Sequence, residues 1–400
     1  MKQQFTIHAV TDCTIEYEGR IEYSIDNGHT WKRLKNLSLP AGHEVQLRNA
    51  PTIGNDRFII KGKFNAHGHI STLAPYGSNV LKWLLCYTSI IDASGLILDY
   101  DELWPHAYAS MFSGCTNLIA APQILATTLA EYCYYRMFSG CTSLTTAPEL
   151  PATTFAQGCY RQMFQDCDSL KSAPELPATT LAEGCYSDMF NGCSSLTSAH
   201  ELPATTLANG CYSQMFKGCT SMTTAPELPA TTLAPFCYYY MFAGCTSLTK
   251  APELPAKKMA NYCYQNMFSD CISLASAPEL PATILARSCY GGMFSGCTSL
   301  TSAPVLPATD LAERCYENMF EGCTKLTSGP SILPAITLPY YCYLEMFAGC
   351  TSLSTLPMLP ATKLKEGCYK HMFQGCNSIK ELPTMPKEIL ITAIQMGILS

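Results

Sequence analysis

The chain has 400 residues, of which 48% are hydrophobic and only 14% charged, against ~25% charged in an average globular protein; its formal net charge is −6. That length can bury a sizeable core and suggests two or three domains, while a mildly acidic balance with no basic run argues against nucleic acid as a partner. No span reaches the ~20 apolar residues needed to cross a bilayer, so membrane insertion is not expected, and the opening MKQQFTIHAV carries no apolar stretch with a small-residue cleavage site that would mark a secretory signal.

Residues 1–78 read as a small antiparallel β domain. FTIHAV, CTIEYEGRIEYSI, TWKRL, HEVQLR and RFIIKGKF are strand-like, and Asn27-Gly28 marks a hairpin turn. The stretch SIDNGHTW, from Ser24 to Trp31, matches the S-x-D-x-G-x-T-W box of sialidase propellers, where the box helps a hairpin fold. It raises the alternative of a glycan-processing enzyme, which would need carboxylates clustered near arginines in one cleft. A single copy in so small and carboxylate-poor a domain does not supply them. His67 and His69, alternating along a strand, have no third partner for a metal and are read as solvent-facing. Residues 79–104, with VLKWLLC, are expected to cap the start of a repeat array.

From there a Met-Phe pair recurs at Met111, Met137, Met163, Met189, Met215, Met241, Met267, Met293, Met319, Met346 and Met372. The step is 26 residues eight times, then 27, then 26, which marks residues 105–382 as eleven units of that array. One unit reads LKSAPELPATTLAEGCYSDMFNGCSSL. Its second half predicts a short helix: Thr180/Glu183, Thr128/Glu131 and Thr154/Gln157 look like capping boxes, and Cys185, Met189 and Cys193 recur at i, i+4 and i+8 beside Tyr186 and Phe190. Gly192, which is Gly in nine units and Asp166 or Asp270 in the others, would end that helix in a left-handed conformation. The first half, SLKSAPELP, predicts a strand of about three residues, because Pro174 and Pro177 have no N–H for a longer ladder. Neither half buries an apolar side alone, so neighbouring units must stack. Residues 383–400 are expected to cap the last unit.

Twenty-one of the 23 cysteines fall in the repeats. Within a unit they are eight residues apart, ~12 Å along a helix, and between units ~8–10 Å, both beyond the ~7 Å that a disulfide spans. No C-x₂-C pair suggests zinc, so no metal and no cofactor is expected; the cysteines are read as ladders of buried, reduced thiols.

The pattern L-x-x-A-P-x-L-P…C-Y-x-x-M-F-x-G-C-x-x-L resembles the Treponema-type, BspA-like leucine-rich repeat, whose units carry L-x-x-I-x-I-P followed by A-F-x-x-C-x-x-L. Phe190, Cys193, Leu196 and Pro177 fill that family's places for Phe, Cys, Leu and Pro, over roughly Leu96 to Pro383. The unit is about three residues longer, with Met189 in place of the small residue and Ala-Pro inside the strand. The LPATTLA variant is similar to proteins of gut Bacteroidetes and their phages. The resemblance implies an α+β leucine-rich-repeat-type solenoid behind the β domain, a binding or adhesion role at a surface, and no enzymatic activity.

Comparison between units locates the free positions: the two residues before each first cysteine and the two between Tyr and Met. Tyr132, Tyr135, Phe236, Tyr239, Tyr240, Tyr340 and Tyr341 stand there and form the candidate ligand-binding set, since tyrosine offers large contact area at low entropic cost. Packing over the neighbouring unit is the alternative for each ring. Glu149, Glu175, Glu201, Glu227, Glu253 and Glu279 form a second, less varied row. The expected partner is a cell-surface protein or glycan, with other virion proteins or a second copy engaged through the β domain. The expected location is extracellular, on a phage virion or a bacterial surface.

Overall fold

A computed structural model describes residues 2–17, 21–49, 59–74, 76–77 and 81–398. The expected boundary at 78/79, the start of VLKWLLC, the first two residues of RFIIKGKF and the middle of CTIEYEGRIEYSI lie outside the described residues. The chain divides into two compact units: residues 1–178 with Cys185–Leu196, and Thr179–Gly184 with residues 197–400.

In the first unit the N-terminal segment is β-rich, as its alternation predicts. Phe5–Ala9 (β1), Cys13–Glu16 (β2), Glu22–Ser24 (β3), Lys32–Arg33 (β4), Asn36–Leu39 (β5), Glu44–Arg48 (β6), Ile59–Lys61 (β7) and Phe64–His69 (β8) precede a one-turn helix, Ile70–Leu73 (α1). Ile90–Leu98 (β9) and Gln123–Ile124 (β10) then complete a seven-stranded sheet of order β10-β9-β8-β1-β6-β3-β4, while β5-β2-β7 form a second sheet. Phe5, Ile7, Val45, Leu47, Phe64 and Ala66 of the larger sheet are buried in the core. The β3–β4 hairpin turns through Asn27 and Gly28, both at positive φ, as the Asn-Gly pair requires. At Gly68, φ +96°, a Cβ would collide with the Gln4 carbonyl, so the close approach of β8 to the chain start needs glycine.

β8 pairs in parallel with β9, and β9 with β10, so one sheet runs from the N-terminal strands into the first repeat. The junction is tied by Asp99, a buried carboxylate that accepts from Lys2 Nζ at 2.6 Å, Ser71 Oγ at 2.7 Å and Ser71 N–H at 3.0 Å, with His69 Nδ1 at 3.1 Å. Burial pushes its pKa up, but these hydrogen bonds outweigh burial and hold it down at about 2. His69 therefore hydrogen-bonds Asp99 rather than facing solvent alone, and His67 is half-buried beside it.

The repeats depart from expectation in an instructive way. The segment expected to be helical contains no helix; besides α1, the described residues hold one other helix, Lys387–Gln395 (α2), at the C-terminal end. An α-helix donates every N–H to the i−4 carbonyl. Here alternate N–H groups do different things. Cys133, Tyr135, Met137, Ser139 and Cys141 donate three residues back within their own unit, at 3.0–3.3 Å, while Tyr132, Tyr134, Arg136, Phe138 and Gly140 donate to carbonyls of the next repeat at 2.8–3.0 Å. The same alternation recurs in the second unit, where Phe236, Tyr238 and Tyr240 donate to Asn261, Cys263 and Gln265. Each repeat thus lays down a ribbon of successive β-turns, stacked edge to edge.

Every fourth residue of this ribbon has positive φ: Tyr132, Arg136 and Gly140; Gly184, Asp188 and Gly192; Phe236, Tyr240 and Gly244; Tyr341, Glu345 and Gly349. Left-handed residues at that interval are incompatible with a helix. A helix would also rotate an i, i+4 row by about 40° per step, at 100° per residue, whereas a four-residue turn repeat keeps Cys, Met and Cys in line. Gly192 is the third left-handed position of its unit rather than a helix terminator.

The ribbon stacks rings in register. Tyr108–Tyr134, Tyr134–Tyr160 and Tyr160–Tyr186 stack 5.5–5.9 Å apart in the first unit with nearly parallel planes, as do Phe112–Phe138, Phe138–Phe164 and Phe164–Phe190 at 5.4–5.5 Å. In the second unit the ladders run from Tyr212 to Tyr369 and from Phe216 to Phe373. The 27-residue step leaves them intact: Tyr316–Tyr343 is 5.8 Å, Phe320–Phe347 is 5.4 Å, and Phe320 N–H donates to Met346 at 2.9 Å. Ser331, inserted on the opposite side, supplies a carbonyl to Met358 N–H at 3.0 Å.

All 23 cysteines are buried and none is in a disulfide. The second cysteine of a repeat makes a specific polar contact. Its Sγ donates to the Phe carbonyl of the preceding repeat, as from Cys141 to Phe112, Cys193 to Phe164, Cys271 to Phe242 and Cys376 to Phe347, at 3.0–3.1 Å. Thiol is small and apolar enough for the core yet retains one weak donor. Burial pushes Cys133 and Cys193 up to about 12. The minimal strand expected in SLKSAPELP is also absent as a ladder. Pairing between repeats reduces to single bridges such as Thr128↔Thr154, Thr224↔Lys250 and Ser302↔Ser328, and to the two-residue strands Thr337–Leu338 (β11) and Lys363–Leu364 (β12), because prolines interrupt the donors.

A candidate recognition edge of aromatic side chains

The positive-φ positions decide where the candidate rings go. A left-handed residue projects its side chain outward along the edge of the ribbon, toward the equivalent position one repeat on. Tyr132 takes this conformation at φ 52°, Phe236 at 56°, Tyr240 at 53° and Tyr341 at 56°. Tyr132 lies across Gly158, where a Cβ would run into its ring, and Tyr341 lies across Gly367 in the same way. These rings therefore touch the next repeat and remain part-exposed.

The seven candidates fall into three clusters, each in one compact unit. In the first unit Tyr132 stacks on His106 at 5.4 Å and meets Tyr135 edge-on at 6.1 Å, with the Arg136 guanidinium 6.0 Å from the Tyr135 ring. Burial near Lys82 lowers the His106 pKa, so its ring stacks neutral. In the second unit Phe236, 37% exposed, stacks on Tyr262 at 4.6 Å and meets Tyr239 at 5.7 Å, while Tyr239 meets Tyr240 at 4.5 Å. Lys217 Nζ sits 5.1 Å from the Tyr240 ring. Burial, then the adjacent Tyr240, raises the Tyr239 pKa, so this phenol stays a neutral donor. Four repeats further, Tyr340, 45% exposed, has Lys365 at 5.8 Å; Tyr341 carries Arg314 over its ring at 4.7 Å and donates to Glu366 at 3.3 Å.

Each cluster combines an apolar ring surface with a cation and phenol donors, an arrangement that can hold a partner by ring stacking worth ~0.5–1.5 kcal/mol per pair and by cation–π contacts of ~0.5–1 kcal/mol at exposed sites. His106, Lys217, Tyr262, Arg314 and Lys365 were missed in the sequence. Three of them, His106, Tyr262 and Arg314, stand one 26- or 27-residue step from a candidate ring, so the period itself was the signal.

The Asp box is a turn clamp. Asp26 accepts from Ser24 Oγ at 2.6 Å, from Thr30 N–H at 2.8 Å and from Thr30 Oγ1; Gly28 N–H donates to Ser24 Oγ at 2.9 Å, and Trp31 Nε1 to the Gly28 carbonyl at 3.0 Å. Those bonds hold the Asp26 pKa far below the carboxylate range. Among the described residues no group of three or more His, Cys, Asp or Glu could hold a metal ion, and no helix is long and apolar enough to cross a membrane.

Stacked turn ribbons with inward leucines, behind an N-terminal β region, define a leucine-rich-repeat-type protein. The family description "BspA type Leucine rich repeat region (6 copies)" matches residues 108–223, 159–301, 212–344 and 264–395, and the chain belongs to that family. Its members are typically surface-associated proteins that mediate protein interactions. No curated protein sequence matches. Among solved structures, a leucine-rich repeat protein from Bacteroides ovatus ATCC 8483 is 20% identical, with 73% of this chain and 82% of that chain covered and a TM-score of 0.37. Another from Eubacterium ventriosum ATCC 27560 is 13% identical, with 81% and 80% covered and a TM-score of 0.41.

Proposed function

We propose that this protein is a non-enzymatic recognition module that binds a cell-surface protein or glycan through the aromatic edge of its repeats. The observation that carries the reading is the placing of the rings. Buried Tyr and Phe ladders are uniform from unit to unit, whereas the part-exposed candidate rings with cations beside them stand at positions that vary. The N-terminal β region is the attachment element, toward other virion proteins or a second copy. The resemblance of the LPATTLA units to phage and gut-bacterial proteins favours display on a virion, with a bacterial surface as the second setting; detection of the chain in purified virions separates the two.

The test is the triple variant Phe236→Ser, Tyr239→Ser and Tyr240→Ser in a glycan-array or cell-binding assay. Loss of binding with the melting transition retained supports the reading, because the Cys-Met-Cys row behind those positions is untouched. Loss of cooperative unfolding instead makes the rings packing residues.

A further inference from the structure

The side of the repeats that carries the A-P-x-L-P segments has a second surface, independent of the aromatic edge. In the second compact unit the residue just before the Leu of that segment is Glu201, Glu227, Glu253 and Glu279, then Val305, Ile332 and Met358. The leucines beside them point inward and are buried, and the four glutamates are exposed. So are the aliphatic replacements: Val305 is 75% exposed, Ile332 39% and Met358 47%, with Ile336 at 50%.

The row is contiguous. A cleft of about 410 Å³ separates Pro252-Glu253-Leu254-Pro255 from Pro278, Glu279 and Pro281, and a second of about 410 Å³ separates that segment from Pro304, Val305 and Pro307. Ser302 bridges Ser328 in the following repeat, and Ile332 bridges Met358. Across the two clefts no backbone hydrogen bond joins the facing segments among the described residues. Nearer the C-terminus, Leu333 N–H donates to Met358 and Met358 N–H to Ser331, both at 3.0 Å, and the surface is closed. Neither Glu253 nor Glu279 forms an ion pair among the described residues, although Lys250 lines the first cleft.

Adjacent carboxylates in such a row repel one another, even in water. A cationic partner relieves that repulsion, and exposed Val, Ile and Met side chains in line are stabilised by being covered. A single partner with both properties must carry its charges at one end and its apolar groups at the other.

We propose that this face docks a polypeptide segment with lysine or arginine side chains over Glu253 and Glu279 and aliphatic side chains over Val305, Ile332 and Met358. Charge complementarity selects the occupant, and the switch from Glu to aliphatic residues along one row sets its register.

The experiment uses the full chain and a labelled synthetic peptide of about twelve residues, with Lys on alternate positions of one half, Val on alternate positions of the other and Ser between, made in both chain directions and followed by fluorescence anisotropy. The comparison is the variant Val305→Glu, Ile332→Glu and Met358→Glu. Glu at this position is what six other repeats carry, at Glu149, Glu175, Glu201, Glu227, Glu253 and Glu279, so the fold is kept and its melting transition checks that. Binding in one chain direction, weakened roughly tenfold or more by the variant and by added salt, is the expected result. Equal binding by the variant, or equal binding of a peptide with Ser in place of Val, overturns the proposal. Self-association of the parent chain that the variant abolishes also overturns it, since the occupant would then be a second copy. The Phe236, Tyr239 and Tyr240 serine variant should bind the peptide unchanged; if it alone loses the peptide, the segment sits on the aromatic edge and this proposal fails.

Discussion

Raising the pH should unfold this protein abruptly, and the buried thiols set where. Burial raises the pKa of nineteen repeat cysteines above their ordinary 9.0, to about 11 for Cys115 and about 12 for Cys193, Cys245 and Cys315. A thiol raised in the folded state stays protonated there while the unfolded chain ionises, so its contribution is complete below pH 9 and is lost as pH rises toward 12. One pH unit above 9 the loss is ~1.4 kcal/mol for each thiol, and over nineteen it is on the order of 25 kcal/mol. That rivals the whole net stability expected of a 400-residue chain, roughly 20–60 kcal/mol. In reductant, circular dichroism and thiolate absorbance should therefore change together, in one steep transition at about pH 10. Thiolate absorbance that grows gradually near pH 9 while the dichroism stays native would refute the reasoning, because the thiols would then be titrating inside the folded protein.

Gln162, at φ 58°, discriminates a turn ribbon from a helix: Gln162→Gly should be more stable than Gln162→Ala by ~0.5–1 kcal/mol in urea, whereas a helix would favour Ala by about 1 kcal/mol. Thiol reagent added at neutral pH should find few reactive groups in the native protein and all 23 after denaturation; few after denaturation would mean disulfides. Asp99→Asn should lower the melting temperature by removing the bonds from Lys2 and His69, at a cost of about 1–3 kcal/mol. Because the Asp99 pKa is depressed to about 2, its contribution is present above the ordinary carboxylate range and is lost as pH falls toward 2, so parent and variant should converge in acid.

How much of the site was legible follows from the period. The candidate rings were found because eleven copies within one chain show which positions vary, and the structure gathers Phe236, Tyr239 and Tyr240 with Tyr262 and Lys217. Stacking on the next repeat was not legible at any single ring. It depends on what stands one period away: a glycine under Tyr132 and Tyr341, an aromatic under Phe236. The Asp box was read as a turn device, and its hydrogen bonds are spent within the turn.

By itself the sequence determined the repeat, its register, the buried Cys-Tyr-Met-Phe-Cys face and the harmless 27-residue step, because each depends only on which residues recur at which interval. It also carried a sign against the helix: besides the Gly or Asp at the third left-handed position of each unit, Gly158, Gly184, Gly210, Gly292 and Gly367 stand at earlier left-handed positions, inside the segment read as helical. Local pattern could not decide between a helix and a ribbon, since residues spaced by four share a face in both. Tertiary structure decided it. Every second N–H of the ribbon is satisfied by the neighbouring repeat, so the conformation exists only in the stack, and a lone unit would leave those donors without partners.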